Sequence, residues 1–224
     1  MAVVNEQSLA KTLHAITQAW LAGTQLSADD RVDAARWIAG RVGIAGSYGG
    51  LPAPTSADYR DKVYLYTGES VRSNAGIGCK LGFEAVWALA QLNVHDAAVR
   101  QATLQAQART LALFDRQPSR AKGMYCCYSC SQAGWRALAT IDNGQPFLTL
   151  GLELLHNTRD GKGRWTKFPF WYSVLSLVHS QAKTARAELQ YAAPALERFL
   201  RRKDFSQLHD ARRKLLAQKA LGIA

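Results

Sequence analysis

The stretch that decides the fold reads "NTRDGKGRWTKFPFWYSVLSL" and covers residues 157–177. It starts where one apolar helix pattern ends, passes through a glycine-rich turn that closes at Trp165, and enters a second apolar pattern after Pro169. Asp-Gly favours a turn, whereas a segment that is apolar all round is typical of a buried helix. The order of helix, turn and helix predicts a helical hairpin whose second helix is buried.

The same order of parts occurs at two earlier places in the chain. Residues 36–50, "RWIAGRVGIAGSYGG", lead to an apolar segment around Leu89, and residues 123–135, "GMYCCYSCSQAGW", enter one around Leu138. Aligned on these two leucines and on Leu175, the copies are 49 and 37 residues apart. Repeats of a few tens of residues predict stacked hairpins that bury a shared core.

Helical periodicity also dominates the rest of the chain. Leu9, Leu13 and Ile16, for example, follow one another at spacings of three and four residues, whereas no segment alternates with a period of two. We therefore predict a single all-α domain over residues 1–224. Its helices are expected at about 6–22, 27–42, 74–92, 94–116, 129–141, 145–158, 169–182, 184–202 and 205–220.

Two features interrupt this pattern. The connection at about 43–70 is rich in Gly, Pro and Tyr, and a connection of this length is expected to be functional or to carry a short helix of its own. Pro194 lies inside the segment 184–202, where proline predicts a kink or a split.

The turns in residues 37–52 and 157–177 resemble the repeat motifs of the squalene-cyclase and protein-prenyltransferase superfamily. In that superfamily, Gly–aromatic turns link the outer and inner helices of an α/α toroid. The resemblance covers about residues 30–200 in three copies. It implies αα-hairpins packed as an arc or as a small, incomplete α/α toroid, and it leaves open whether this chain is half of a homodimer.

The resemblance implies an architecture rather than a reaction. The superfamily's aspartate-rich DxDD motif does not occur here, and its Asp, Cys and His zinc ligands have no residue-by-residue counterparts. By resemblance, a concave interior lined by aromatic side chains is a pocket for an apolar small molecule. We expect it to be lined by Cys79, Cys127, Cys130, Trp135, Trp165 and Tyr172.

Three of the four cysteines lie within five residues, at Cys126, Cys127 and Cys130. If a helix begins here, Cys130 shares a face with either of the other two, because their spacings are four and three. Such thiolates can ligate zinc, and the alignment places Cys79 near the position of Cys127 in its own copy. The candidate cysteine ligands are therefore Cys79, Cys126, Cys127 and Cys130. Two of the three clustered thiolates, together with Cys79 and a histidine, His156 or His179, would complete a tetrahedron.

Two other uses of these cysteines stay open. A thiol at a helix N-terminus near Lys122 and Arg136 would have a lowered pKa and would be reactive. Alternatively, the cysteines pack as small apolar side chains. The sequence therefore allows a small-molecule-binding protein of the prenyltransferase or terpenoid-cyclase type, a non-catalytic interaction scaffold, and a zinc-dependent or redox-active cysteine protein.

The net charge of +11, from 28 Lys and Arg against 17 Asp and Glu, keeps nucleic acid among the expected partners. Residues 198–219 contain eight basic and two acidic side chains, which form either a phosphate-binding surface or a solvated helix face. No apolar run is long enough to span a bilayer, and the first residues do not resemble a secretory signal. Because the cysteines are clustered, we expect reduced thiols and a cytoplasmic protein.

Overall fold

The computed structural model describes residues 3–116 and 123–224. These two ranges contain ten α-helices and a short 3₁₀ turn, with no strand longer than an isolated bridge, so the predicted all-α fold is confirmed. None of the helices in these ranges combines the length and hydrophobicity that a bilayer span requires. The helices are α1 (Leu9–Ala22), α2 (Ala28–Ala39), α3 (Ser56–Arg60), α4 (Asn74–Leu92), α5 (Ala97–Asp115), α6 (Tyr128–Leu138), α7 (Gln145–His156), α8 (Phe170–Val178), α9 (Lys183–Leu200) and α10 (Asp210–Leu221).

The helix ends follow local capping chemistry. Ser8, Ser27 and Ser73 cap α1, α2 and α4, and each hydroxyl accepts a hydrogen bond from a backbone N–H of the first turn. At the other end, α1 stops at Gly23 with φ 66° and α4 stops at Asn93 with φ 46°. Glycine and asparagine are the residues that tolerate this left-handed conformation best, so the residue types at these positions explain where both helices end.

The long connection between α2 and α4 carries the short helix α3, as predicted. Thr55 and Asp58 form a reciprocal capping box at its start. The Asp58 carboxylate also accepts hydrogen bonds from the Ser8 hydroxyl at 2.6 Å and from the Leu9 amide at 2.8 Å. Because Asp58 is buried, this carboxylate fastens the connection to the beginning of α1.

Proline 194 does not split its helix. The helix α9 runs without interruption from Lys183 to Leu200. Proline removes the backbone hydrogen bond to the carbonyl four residues earlier, that of Gln190, and both Gln190 and Pro194 are exposed. Water can therefore solvate the released carbonyl, which explains why the helix tolerates the proline.

Five helices contact one another in a closed circuit. α1 packs against α4, α4 against α6, α6 against α8, α8 against α10, and α10 against α1. The remaining long helices pack on this set: α2 and α5 on α4, α7 on α6, and α9 on α8 and α10. This order agrees with the expected pairing of inner and outer helices, while the toroid itself stays a prediction.

A group of polar side chains lies among the five helices of the circuit. The Arg136 guanidinium forms a buried ion pair with Glu84 and donates a hydrogen bond to the Thr17 hydroxyl at 3.0 Å. The Tyr172 hydroxyl donates to the other Glu84 oxygen at 2.6 Å, and the guanidinium lies 3.5 Å from the centre of the Trp87 ring. Together with His179, which packs on Trp87, these residues are called the central polar network.

Candidate metal centre

Three cysteines from two helices converge on one point of the fold. The sulfurs of Cys79, Cys126 and Cys130 all lie within 4.8 Å of one another. Cys79 lies in the second turn of α4, and the other two flank the start of α6, which packs along α4. Residues about 50 positions apart in the chain therefore form a compact group of sulfur atoms, here called the sulfur triad.

The start of α6 fixes the two cysteines that it carries. Cys127 is the N-cap in an extended conformation, and its sulfur accepts a hydrogen bond from the Cys130 amide at 3.4 Å. The preceding turn is held by Gly123, whose φ is 82° and whose carbonyl accepts a hydrogen bond from the Trp135 indole at 2.7 Å. A side chain at Gly123 would collide with the backbone of Gly151 in α7, so the turn requires glycine.

Of the four cysteines predicted as metal ligands, Cys127 is the one that stays outside the triad. Its side chain lies within hydrogen-bonding reach of Cys126 and Cys130, but the triad's third member, Cys79, is not among its partners.

The two histidines considered as a fourth ligand lie elsewhere. The His179 ring packs against Trp20 and Trp87, with centroids 4.0 and 4.5 Å away. His156 pairs through Nδ1 with Glu188 at 2.9 Å. Neither histidine belongs to the group that could hold a metal ion, so the donor set of this group consists of sulfur alone.

The thiols of this cluster have unequal pKa values because they hydrogen-bond to one another. Hydrogen bonds from Cys127, Cys130 and Cys79 lower the pKa of Cys126, and the nearby Lys80 ammonium adds to this effect. The same bonds raise the pKa of Cys130 and of Cys79, because both side chains donate to the Cys126 sulfur. Cys126 is therefore the thiol of this cluster that loses its proton most readily.

Lys80 supplies a positive charge beside these sulfurs. Its side chain is buried, and within residues 3–116 and 123–224 no carboxylate lies within 4.0 Å of its amine. The N-terminus of α6 adds a partial positive charge at the same point. A thiolate is thus the anion that this buried ammonium has next to it.

Two phenols lie near the triad and stay neutral. The Tyr125 hydroxyl donates a hydrogen bond to the Tyr48 hydroxyl at 3.0 Å. Burial raises the pKa of both tyrosines above the ordinary value of 10.0, and the neighbouring cysteines add to the effect. A neutral phenol is a poor metal ligand, so the pair forms a wall of the site rather than part of its donor set.

The geometry of the triad suits a thiophilic cation. Zinc–sulfur bonds of about 2.3 Å place the sulfurs of a tetrahedral site about 3.8 Å apart. Sulfurs that already lie within 4.8 Å of one another need only a small contraction to reach that distance. The same closeness would also allow oxidation to a disulfide, although none of the four cysteines forms one in the structure.

The aromatic residues expected to line a pocket are each held by a different partner. Trp135 donates to the Gly123 carbonyl, Trp165 donates to Glu188 at 2.9 Å, and Tyr172 belongs to the central polar network. Each ring is at most 4% exposed. Of the six expected lining residues, the structure brings Cys79 and Cys130 together in the triad, and the apolar-ligand pocket stays a prediction.

Lys80 was not predicted as a residue of the site, although its position in a largely apolar helix is a signal that the sequence contains. The helix segment "NAGIGCKLGFEAVWALAQL", residues 74–92, is largely apolar, and Lys80 and Glu84 are its two charged residues. A charged residue in a helix that is buried all round must have a partner, so both positions mark buried electrostatic sites.

No protein-family model, no curated protein and no solved structure matches this chain, and the identification of the site therefore comes from the geometry of its cysteines.

Proposed function

We propose that this protein binds a thiophilic metal ion through the thiolates of Cys79, Cys126 and Cys130, with zinc as the first candidate. The observation that carries the proposal is the convergence of their three sulfurs within 4.8 Å. Sulfur donors favour zinc and Cu(I) over magnesium and calcium, which prefer oxygen ligands.

The electrostatics of the site support this proposal. Three thiolates and one divalent cation carry a total charge of −1, which the ammonium of Lys80 and the N-terminus of α6 offset. Metal binding also converts the three thiols to thiolates, because a coordinated thiol is deprotonated outright. Metal binding should therefore release protons, and its affinity should rise with pH.

Three protein sulfurs leave one position of a tetrahedron for water or a small ligand. This count is typical of zinc sites that perform chemistry, whereas structural sites have four protein ligands. Cys126 is half-buried, so solvent reaches this edge of the triad. Because the thiols must be reduced to bind metal, we also infer that the protein works in the cytoplasm.

The test is native mass spectrometry with elemental analysis of protein loaded with zinc under reducing conditions. The proposal predicts one zinc per chain in the wild type and none in Cys79→Ser, Cys126→Ser or Cys130→Ser. Cys127→Ser is the matched control and should keep its zinc, because Cys127 lies outside the triad.

Two results would contradict the proposal. The first is a wild-type protein that binds no more metal than the triad variants. The second is a protein that binds no metal and instead loses the mass of two hydrogens on mild oxidation, which would assign the cysteines to a redox function.

A further inference from the structure

The positive charge of this protein is concentrated in its last third. Residues 159–224 contain 14 Lys and Arg against 5 Asp and Glu, a net +9 of the total +11. Two of these five acids, Glu188 and Asp210, are buried and paired with arginines. These pairs are neutral, so the net charge of +9 comes from the other side chains of this part of the chain, and such asymmetry is typical of proteins that bind polyanions.

Four aromatic rings form a continuous row on this part of the surface. The ring centroids of Phe170 and Trp171 are 5.1 Å apart, those of Trp171 and Phe199 are 4.5 Å apart, and those of Phe199 and Phe205 are 5.4 Å apart. All four side chains are half-buried, so each offers part of its ring to solvent. The rings come from α8, from the end of α9 and from the segment before α10, so the sequence of 198–219 alone does not reveal the row.

Basic side chains lie over these rings. Arg164 lies 4.7 Å from the centre of Phe170, and Lys214 lies 4.9 Å from that of Phe205. Arg202 lies over Phe199 and Phe205 at 5.2 and 5.7 Å. Arg213 lies 5.8 Å from the centre of Trp171. The row and its cations are called the basic–aromatic face, which consists of Arg164, Phe170, Trp171, Phe199, Arg202, Phe205, Arg213 and Lys214.

We propose that the basic–aromatic face binds single-stranded nucleic acid. Binders of single strands combine a basic surface that follows the phosphates with π-faces on which bases stack. An arginine that lies on a ring has its other face free, and a guanidinium plane can stack on an unpaired base. Arg164 and Lys214 are exposed, and among the described residues neither has a carboxylate within 4.0 Å, so both cations remain available to phosphates.

The same face fits a membrane surface less well. Peripheral membrane binding needs apolar side chains that insert among the lipids. The rings of this face are held half-buried by their neighbours, and Leu208 is the one large apolar side chain described in residues 159–224 that is exposed. The observations therefore favour stacked bases and phosphates over a lipid interface.

The experiment is fluorescence anisotropy of a labelled oligothymidylate titrated with the full chain at several salt concentrations. We expect binding that weakens with salt, and a double variant Arg164→Ala/Lys214→Ala that binds about tenfold more weakly. The slope of log K against log salt should fall by about 1.4, because each lost phosphate contact removes about 0.7 for a single strand.

The matched control is Arg60→Ala/Arg100→Ala, which removes the same charge from exposed positions on α3 and α5. Neither of those helices is among those that pack on α9 or α10. The control should change the affinity less than twofold, and circular dichroism should show that both double variants are folded. Phe205→Ala, which removes a ring and no charge, should also weaken binding.

The proposal would be overturned if the two double variants lost affinity for the oligonucleotide equally, or if the wild type did not bind it. An unchanged affinity in Phe205→Ala or tighter binding to a matched duplex would also overturn it. Binding to vesicles of phosphatidylcholine and phosphatidylserine without binding to the oligonucleotide would also overturn it. None of the three cysteines that would hold the metal belongs to the face, so we expect the oligonucleotide to bind metal-free and zinc-loaded protein equally well.

Discussion

Two of the polar clusters in the protein's interior involve both α4 and α6. In the central polar network, Glu84 from α4 faces Arg136 from α6, and both charges have partners of opposite sign. In the sulfur triad, Cys79 from α4 faces Cys126 and Cys130 from the start of α6, and Lys80 places a full positive charge beside them. The same pair of helices therefore holds one cluster with balanced charge and one that can accept more positive charge.

This difference separates a structural role from a binding role. The buried ion pair has further hydrogen bonds to Thr17 and Tyr172, and its two charges balance each other. The three neighbouring thiols become thiolates when a cation binds them, so their charge is balanced only by that cation. The predictions below test whether the first cluster supports the fold and the second binds a metal.

The largest expected effect comes from breaking the central ion pair. Glu84→Gln leaves the Arg136 guanidinium buried without an opposite charge, and we expect the free energy of unfolding to fall by about 3–5 kcal/mol. Urea denaturation measures it. In the control, Glu197→Gln, the exposed pair with Arg201 is lost, and the change should stay below about 0.5 kcal/mol. If the free energy of unfolding fell by similar amounts in the two variants, burial would not determine how strongly the loss of an ion pair destabilises the protein.

A second effect concerns zinc and the triad. At a free zinc concentration about 100 times the dissociation constant, we expect zinc to raise the free energy of unfolding by up to about 2.7 kcal/mol. Cys130→Ser should show no such increase, because it removes one ligand. Glu84→Gln should keep the increase, because it leaves the three sulfurs in place. Differential scanning fluorimetry with and without zinc checks this, and a zinc response in Cys130→Ser would refute the separation of the two clusters.

A third effect is the pH dependence of the central network through His179. Burial and the charge of Arg136 hold the pKa of His179 well below its ordinary value of 6.5. Below pH 6.5 the unfolded chain therefore binds a proton that the folded protein does not, and stability falls as the pH falls. The slope is about 1.4 kcal/mol per pH unit from this group.

Urea titrations between pH 7 and pH 5 measure this slope, and His179→Gln should make it shallower. A smaller slope should remain, because burial also lowers the pKa of His14, to about 3. If the wild type and His179→Gln have the same slope, His179 does not stay neutral in the folded protein.

The smallest expected effect is that of Cys127→Ser. Serine is a preferred N-cap, so we expect α6 to gain up to about 1 kcal/mol, measured by thermal melting. A loss of stability would mean that the Cys127 sulfur does more than cap the helix.

Much of the fold could be predicted from the sequence because its signals are local. The segment 74–92 matches α4 at both ends, since Ser73 and Asn93 are cap residues next to an apolar run. The start of α10 is five residues later than predicted, because residues 205–209 do not form helix. Residue types near helix ends therefore predict boundaries better than composition does.

The site could be predicted only in part. The repeat alignment indicated that Cys79 and Cys127 face the same interior, whereas the structure brings Cys79 together with Cys126 and Cys130 and leaves Cys127 outside the triad. The sequence alone could not indicate which of Cys126 and Cys127 points inward, because that depends on the residue at which α6 begins. The pairing of Glu84 with Arg136 could not be predicted either, because the two residues are 52 positions apart and meet only through packing.

The most direct test of the central claim is X-ray absorption spectroscopy at the zinc edge of the zinc-loaded wild-type protein. The account predicts three sulfur neighbours at about 2.3 Å together with one oxygen or nitrogen neighbour at about 2.0 Å. A first shell of nitrogen and oxygen alone would contradict it, because the zinc would then lie away from Cys79, Cys126 and Cys130.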